Sequence, residues 1–148
     1  MKTKEIEEKL VRILKGWQKI EDEAVISTDE IIAASGNSIT RSIFEIIHHD
    51  AQNHRRVQEV IIRGHEKAGF VMTVEQLEEL AKVISRHMEV EKRMREAAEE
   101  ALGLIQGKNM VLHEYFLNYL LEDEKKHMDM LKGIEDLKRA IHPYGPAA

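Results

Sequence analysis

The sequence predicts an all-α protein built as a four-helix bundle. Four long segments carry apolar residues three and four positions apart, which is the spacing of an amphipathic helix. The 148 residues are 43% hydrophobic and 33% charged, with only 8 glycines and 2 prolines, a balance typical of helix-rich globular chains. Aromatic residues make up 5%, so a β-sandwich is disfavoured. We expect residues 1–148 to form a single domain.

The first two helices are predicted on either side of one short turn. Helix one extends from about Lys4 to Ala34, and Ser27 with Glu30 offers a capping box at which it could break. The segment Ser35-Gly36-Asn37-Ser38 is the clearest turn in the chain. Helix two then extends from about Ile39 to the region of Arg63 and Gly64.

The third and fourth helices are predicted around a second turn. Residues 64–72 form a linker, after which Thr73 and Gln76 predict a capping box at the start of helix three. Helix three continues to about Leu104 or Gln106, and Gly107 interrupts it. Helix four extends from about Met110 to Ile141, since the prolines of residues 142–146 cannot continue a helix.

Charge and residue usage exclude several classes of function. The net charge is -5 and the pI about 5.9, which disfavours a nucleic-acid-binding protein. No apolar stretch approaches the roughly 18 residues of a membrane span, and no signal peptide is visible, so we expect a cytoplasmic protein with no membrane partner. There are no cysteines, which removes every thiolate metal site, so any metal would be held by imidazole and carboxylate groups.

Three helices place titratable residues in the middle of their apolar stripes. In helix four, Glu124 and His127 lie between Leu120 and Leu131. The same interruption occurs at Asp50 and His54 in helix two and at His87 and Glu91 in helix three. Helix one is less regular, and Glu21 is chosen there over Glu23. Glu45 and His48 have the same spacing as Glu124 and His127, but they lie on a polar face and are expected to be solvated.

The polar interruptions are predicted to lie at one depth. Glu21 lies about 15 residues before the first turn, and residues 50–54 lie about 13 to 17 residues after it. Glu91 lies about 16 residues before the second turn, and residues 124–127 lie about 17 to 20 residues after it. Burying isolated carboxylates costs several kcal/mol each, so such a cluster needs internal pairing or a cation. Carboxylate and imidazole ligands suit iron, manganese and zinc. The predicted metal ligands are therefore Glu21, Asp50, His54, His87, Glu91, Glu124 and His127.

The chain resembles the ferritin-like di-iron carboxylate proteins, and in particular their rubrerythrin-like branch. The resemblance covers four helices and is strongest from Leu120 to His127. The family pattern is one Glu from each of two helices and Glu-x-x-His from each of the other two. It implies that Glu91 and Glu124 hold or bridge the metal, with His54 and His127 as terminal ligands.

Helix two departs from the family pattern, since Ala51 stands where a Glu is expected. The departure leaves a rearranged two-metal site, a one-metal site or a site that binds nothing. The linker of residues 64–72 is short for the crossover of ferritin-like folds, so up-down-up-down connectivity is the alternative topology.

The resemblance implies iron-dependent redox chemistry on oxygen or peroxide, in the ferroxidase or peroxide-scavenging range. Two iron ions are expected, with one iron, manganese or zinc ion as alternatives. The other hypothesis is a non-enzymatic helical module for binding or scaffolding with a degenerate or absent metal site. Trp17 is expected in the core, and the surplus of apolar residues on the helix faces predicts a homodimer.

Overall fold

The computed structural model describes residues 2–66 and 73–141, apart from the side chains of residue 135 and residues 137–141. These residues form four long helices: α1 (Thr3–Ala34), α2 (Ser38–Glu66), α3 (Val74–Ile105) and α4 (Val111–Ile141). The described residues contain no strand, which confirms the all-α, four-helix prediction. No described helix combines the length and apolar character that a membrane span requires. The proline-containing tail after Ile141 lies outside the described residues.

The chain divides into two compact units, Met1–Val71 and Met72–Ala148. The first unit contains an antiparallel hairpin of α1 and α2, which we call hairpin 1. Lys15 pairs with Glu66 near its open end, and Thr28 contacts His48 nearer the turn. The turn is fixed by Asn37, whose side-chain Oδ1 accepts hydrogen bonds from the backbone N–H groups of Ile39 and Thr40.

The predicted break near Ser27 is wrong, because α1 is continuous to Ala34. The Thr28 hydroxyl lies 2.8 Å from the carbonyl oxygen of Ala24 and 2.9 Å from that of Val25. A threonine bonded to the preceding turn keeps its place inside a helix instead of capping a new one.

The second unit contains a hairpin of α3 and α4, which we call hairpin 2. Its first helix begins with the predicted capping box, since Gln76 N–H donates to Thr73 Oγ1 and Thr73 N–H donates to Gln76 Oε1. The helix ends at Ile105, and Gly107 has a φ of 72°, a left-handed conformation that favours glycine. This turn brings α4 back along α3, so residues about 16 positions on either side of it can meet.

Each hairpin buries a narrow line of side chains between its two helices. In α1 the buried residues include Leu14, Glu21 and Thr28, which are spaced by seven. In α3 the buried residues Leu77, Glu91 and Ala98 are spaced by fourteen and seven. Trp17 is 50% exposed when the described residues are considered, so the prediction that it lies in the core is wrong. Trp17 is exposed because α2 covers the face of α1 that carries Leu14 and Glu21, whereas Trp17 lies on the neighbouring face.

Candidate metal centre

Hairpin 2 brings two carboxylates and one imidazole together. Glu91 comes from α3, and Glu124 and His127 come from one turn of α4; one ligand atom of each lies within 4.8 Å of the other two. His127 Nδ1 is 3.4 Å from Glu91 Oε2 and 3.6 Å from Glu124 Oε2. The i, i+3 spacing of Glu124 and His127 directs both side chains toward the same point on α3.

The two carboxylates of this cluster are buried, and each has one oxygen that no hydrogen-bond donor reaches. The side chains of Glu91 and Glu124 are only 5% and 15% exposed. Glu91 Oε2 and Glu124 Oε2 have no hydrogen-bond partner among the described residues. An unpaired buried charge is costly, so either a proton between the two carboxylates or a cation must satisfy these oxygens.

The contact between the two carboxylates moves their pKa values in opposite directions. A hydrogen bond to Glu91, reinforced by burial, raises the pKa of Glu124. Burial alone would raise the pKa of Glu91, but hydrogen bonds from Glu124 and His87 and the charge of His127 outweigh it and lower the pKa. Of the two carboxylates, Glu124 therefore keeps a proton to higher pH, and Glu91 is the one that ionises first.

Two further side chains orient the cluster from its edge. His87 Nε2 lies 2.9 Å from Glu91 Oε1, which leaves Oε2 of the same carboxylate facing Glu124 and His127. Asp123 Oδ2 is 3.6 Å from His127 Nε2, on the opposite side of the ring from the cluster. A carboxylate behind a histidine ring is a common way to fix which nitrogen faces a metal.

Hairpin 1 also buries a glutamate beside a histidine, but the surrounding side chains differ from those of hairpin 2. Glu21 is buried, and its Oε1 lies 3.4 Å from His54 Nδ1. The Gln58 amide donates a hydrogen bond of 3.4 Å to the same oxygen. Ala51 is buried at the position that corresponds to Glu124, so this hairpin has no second carboxylate there.

Within each hairpin the structure brings some of the predicted ligands together. Glu91, Glu124 and His127 form one cluster, with His87 bonded at its edge; Glu21 and His54 meet in the other hairpin. Asp50 joins neither group among the described contacts. Sequence reasoning missed Gln58 and Asp123, although Gln58 lies four residues after His54 and Asp123 four residues before His127, on the same helix faces.

The expectation for His48 is also wrong, whereas Glu45 is exposed as predicted. The His48 side chain is only 14% exposed and lies between Thr28 and Gln52. The Thr28 hydroxyl donates its hydrogen to the helix backbone, so it must accept from His48 Nδ1–H at 2.9 Å. His48 Nε2 then accepts from the Gln52 amide at 3.1 Å. The polar face of α2 is thus covered locally by α1.

Comparison of this chain with protein-family models, with curated proteins and with solved structures finds no match. The ferritin-like resemblance therefore rests on the residues quoted from the sequence, and it stays a prediction.

Proposed function

We propose that the protein binds one divalent transition-metal ion per chain at Glu91, Glu124 and His127. The observation that carries this proposal is the pair of buried carboxylate oxygens that face one imidazole nitrogen and have no hydrogen-bond partner among the described residues. A metal ion would satisfy both oxygens at once and would compete with a proton for Glu124.

The donor set fits such an ion in both chemistry and spacing. Metal–ligand bonds of about 2.0–2.2 Å place the donor atoms of one ion roughly 3.0–3.5 Å apart. The imidazole nitrogen lies 3.4 Å and 3.6 Å from the two carboxylate oxygens, so only small side-chain movements are needed. Two oxygens and one nitrogen suit iron, manganese or zinc. Three protein ligands also leave coordination positions open to a small molecule.

Each residue of the cluster has a distinct task in this proposal. Glu91 is charged before the ion arrives, and His87 holds its other oxygen in place. Glu124 must be deprotonated to bind the ion, so a proton and the ion compete for it. Asp123 lies 3.6 Å from His127 Nε2 and, by attracting that nitrogen, favours the ring orientation in which Nδ1 faces the cluster. Iron held there would supply redox chemistry on oxygen or peroxide, the ferroxidase or peroxide-scavenging activity that the ferritin-like resemblance implies.

The difference between the hairpins favours one ion over the two that the resemblance implies. Hairpin 1 offers Glu21 and His54, but Ala51 supplies no second carboxylate and Gln58 already donates to Glu21. A carboxylate that accepts an amide hydrogen bond has less need of a cation than one without a donor.

A second candidate function, a helical binding or scaffold module, is favoured by one observation. Glu124 can keep its proton and share it with Glu91, which would satisfy the cluster with no ion. The two functions therefore differ in whether a metal displaces that proton.

Anaerobic titration with ferrous iron distinguishes them. The intact chain should bind one ion, the Glu91→Ala and Glu124→Ala variants should bind none, and His54→Ala is the matched control from hairpin 1 and should bind one. Unchanged stoichiometry in either glutamate variant would refute the site.

On exposure to oxygen, the loaded protein should oxidise iron faster than Glu124→Ala with the same iron added. Equal rates would remove the redox part of the proposal and leave the binding part.

A further inference from the structure

Helix α1 carries a stripe of large apolar side chains that α2, its partner within hairpin 1, does not cover. The five residues are between 37% and 62% exposed: Ile6, Leu10, Ile13, Trp17 and Ile20. Contiguous apolar surface of this kind marks an interaction site more often than scattered exposed residues do.

The spacing within the stripe identifies the kind of surface that would cover it. Successive residues are four, three, four and three positions apart, which is the heptad pattern of a helix that packs along another helix. The residues of α1 that pack on α2, such as Leu14 and Glu21, each lie one position beyond a stripe residue. The α1 helix therefore has two adjacent packing faces, and α2 uses one of them.

The edge of the stripe farther from α2 carries an ordered set of charges. At intervals of seven residues it presents two lysines, one glycine and two glutamates: Lys2, Lys9, Gly16, Glu23 and Glu30. Within the described part of the chain, Lys9 and Glu23 form no salt bridge, whereas Lys15 and Asp22, nearer α2, pair with Glu66 and Arg55. The charges of Lys9 and Glu23 are therefore available to pair with a group outside hairpin 1.

This charge order is complementary to itself when the helix is reversed. Around Gly16, Lys9 and Glu23 are each seven residues away and have opposite charge. An antiparallel copy centred on Gly16 places Lys9 beside Glu23 of the second copy, and Lys2 near its Glu30. The same alignment sets Trp17 against Ile13 of the second copy and Leu10 against its Ile20. A side chain built at Gly16 would meet nothing within 4 Å, so no contact inside the chain requires glycine there.

A parallel copy lacks this complementarity. In a parallel pair, charges on the far edge of one helix meet the near edge of the other. The near edge of α1 is formed by Leu14, Glu21 and Thr28, which are buried against α2. We propose that the apolar stripe of α1 is a self-association surface, on which α1 of a second copy lies antiparallel about a twofold axis at Gly16.

Charge exchange tests the pairing, with the dimer dissociation constant measured by analytical ultracentrifugation. Lys9→Glu and Glu23→Lys should each weaken the dimer by about two- to thirtyfold, since each variant makes two ion pairs repulsive. The double variant Lys9→Glu/Glu23→Lys restores opposite charges and should recover the original constant. Lys19→Glu, on the exposed side of α1 away from the stripe, is the matched control and should have no comparable effect. A double variant no tighter than the single variants would overturn the proposal.

Cross-linking tests the position of the axis. The chain has no cysteine, so Gly16→Cys introduces a single thiol that should be joined to its copy by a short bismaleimide reagent. Lys19→Cys is the control and should yield little dimer. Equal yields from both variants would contradict an axis at Gly16.

Trp17 is the single tryptophan, so its fluorescence emission reports whether the stripe is buried. On dilution, emission from Trp17 should shift to longer wavelength as the dimer separates, and Glu124→Gln should behave in the same way because the metal site is not involved. A protein that stays monomeric at tens of micromolar, or whose Trp17 is buried at every dilution, would overturn the proposal. The last result would show that other residues of the same chain cover the stripe.

Discussion

In the proposed site, Glu124 is the residue for which a proton and the metal ion would compete. In Glu124→Gln the amide can still donate a hydrogen bond to Glu91, as the protonated carboxyl does, but it cannot bind a cation well. We expect metal affinity to fall by at least tenfold, while the free energy of unfolding without metal changes by less than about 1 kcal/mol. Calorimetric titration and urea denaturation measure the two quantities. A variant that binds metal as tightly as the original would show that Glu124 is not a ligand.

The raised pKa of Glu124 predicts how the proposed metal binding depends on pH. The ion needs the deprotonated carboxylate, and contact with Glu91 holds the proton on Glu124 to higher pH than in an ordinary glutamate. Affinity should therefore fall as pH decreases through the raised pKa, by up to about tenfold per pH unit below it. Metal titrations at a series of pH values measure this slope. An affinity that stays constant down to the ordinary pKa of glutamate would contradict the proton displacement.

At the scale of the elements, Ala51 accounts for the difference between the hairpins. Ala51→Glu gives hairpin 1 the same set as hairpin 2: one glutamate from its first helix and Glu-x-x-His from its second. Without metal, the buried carboxyl should lower the free energy of unfolding by about 2 kcal/mol or more. With metal, the variant should bind a second ion and regain stability, as measured by thermal denaturation with and without ferrous iron. Ala51→Gln is the control, which should be destabilised and should not recover.

The contact between α1 and α2 at His48 can be tested in the same way. Thr28→Val keeps the shape of the side chain and removes the acceptor for His48 Nδ1–H, so it should cost about 1–2 kcal/mol of unfolding free energy at pH 8. Thr28→Ser retains the hydroxyl and should cost less. Urea denaturation measures both values, and equal losses would show that the hydrogen bond contributes nothing.

The sequence predicted the helices well because their signals are local. The capping residues Thr73 and Gln76 and the turn glycine Gly107 act within a few residues, and the periodicity fixed the remaining bounds to within about three residues. Burial was harder to predict because it depends on which face meets the neighbouring helix. Trp17 and His48 were assigned to the wrong environment for that reason, since each lies beside the boundary between two faces of its helix.

At the scale of the whole molecule, the two hairpins bury different sets of polar side chains. Glu91, Glu124 and His127 were predicted together because each interrupts an apolar stripe. The sequence could not show that Gln58 donates to Glu21, since this contact joins residues 37 positions apart. The resulting asymmetry leads to the central claim, which is one metal site per chain in hairpin 2.

Metal content after anaerobic ferrous loading and desalting tests that claim most directly, with the intact chain and Glu124→Gln analysed side by side. The protein should be purified without chelator or affinity metal, and elemental analysis should count the ions that remain bound. We predict about one iron per intact chain and none in the variant. An intact chain without iron, or equal iron in both proteins, would contradict the account.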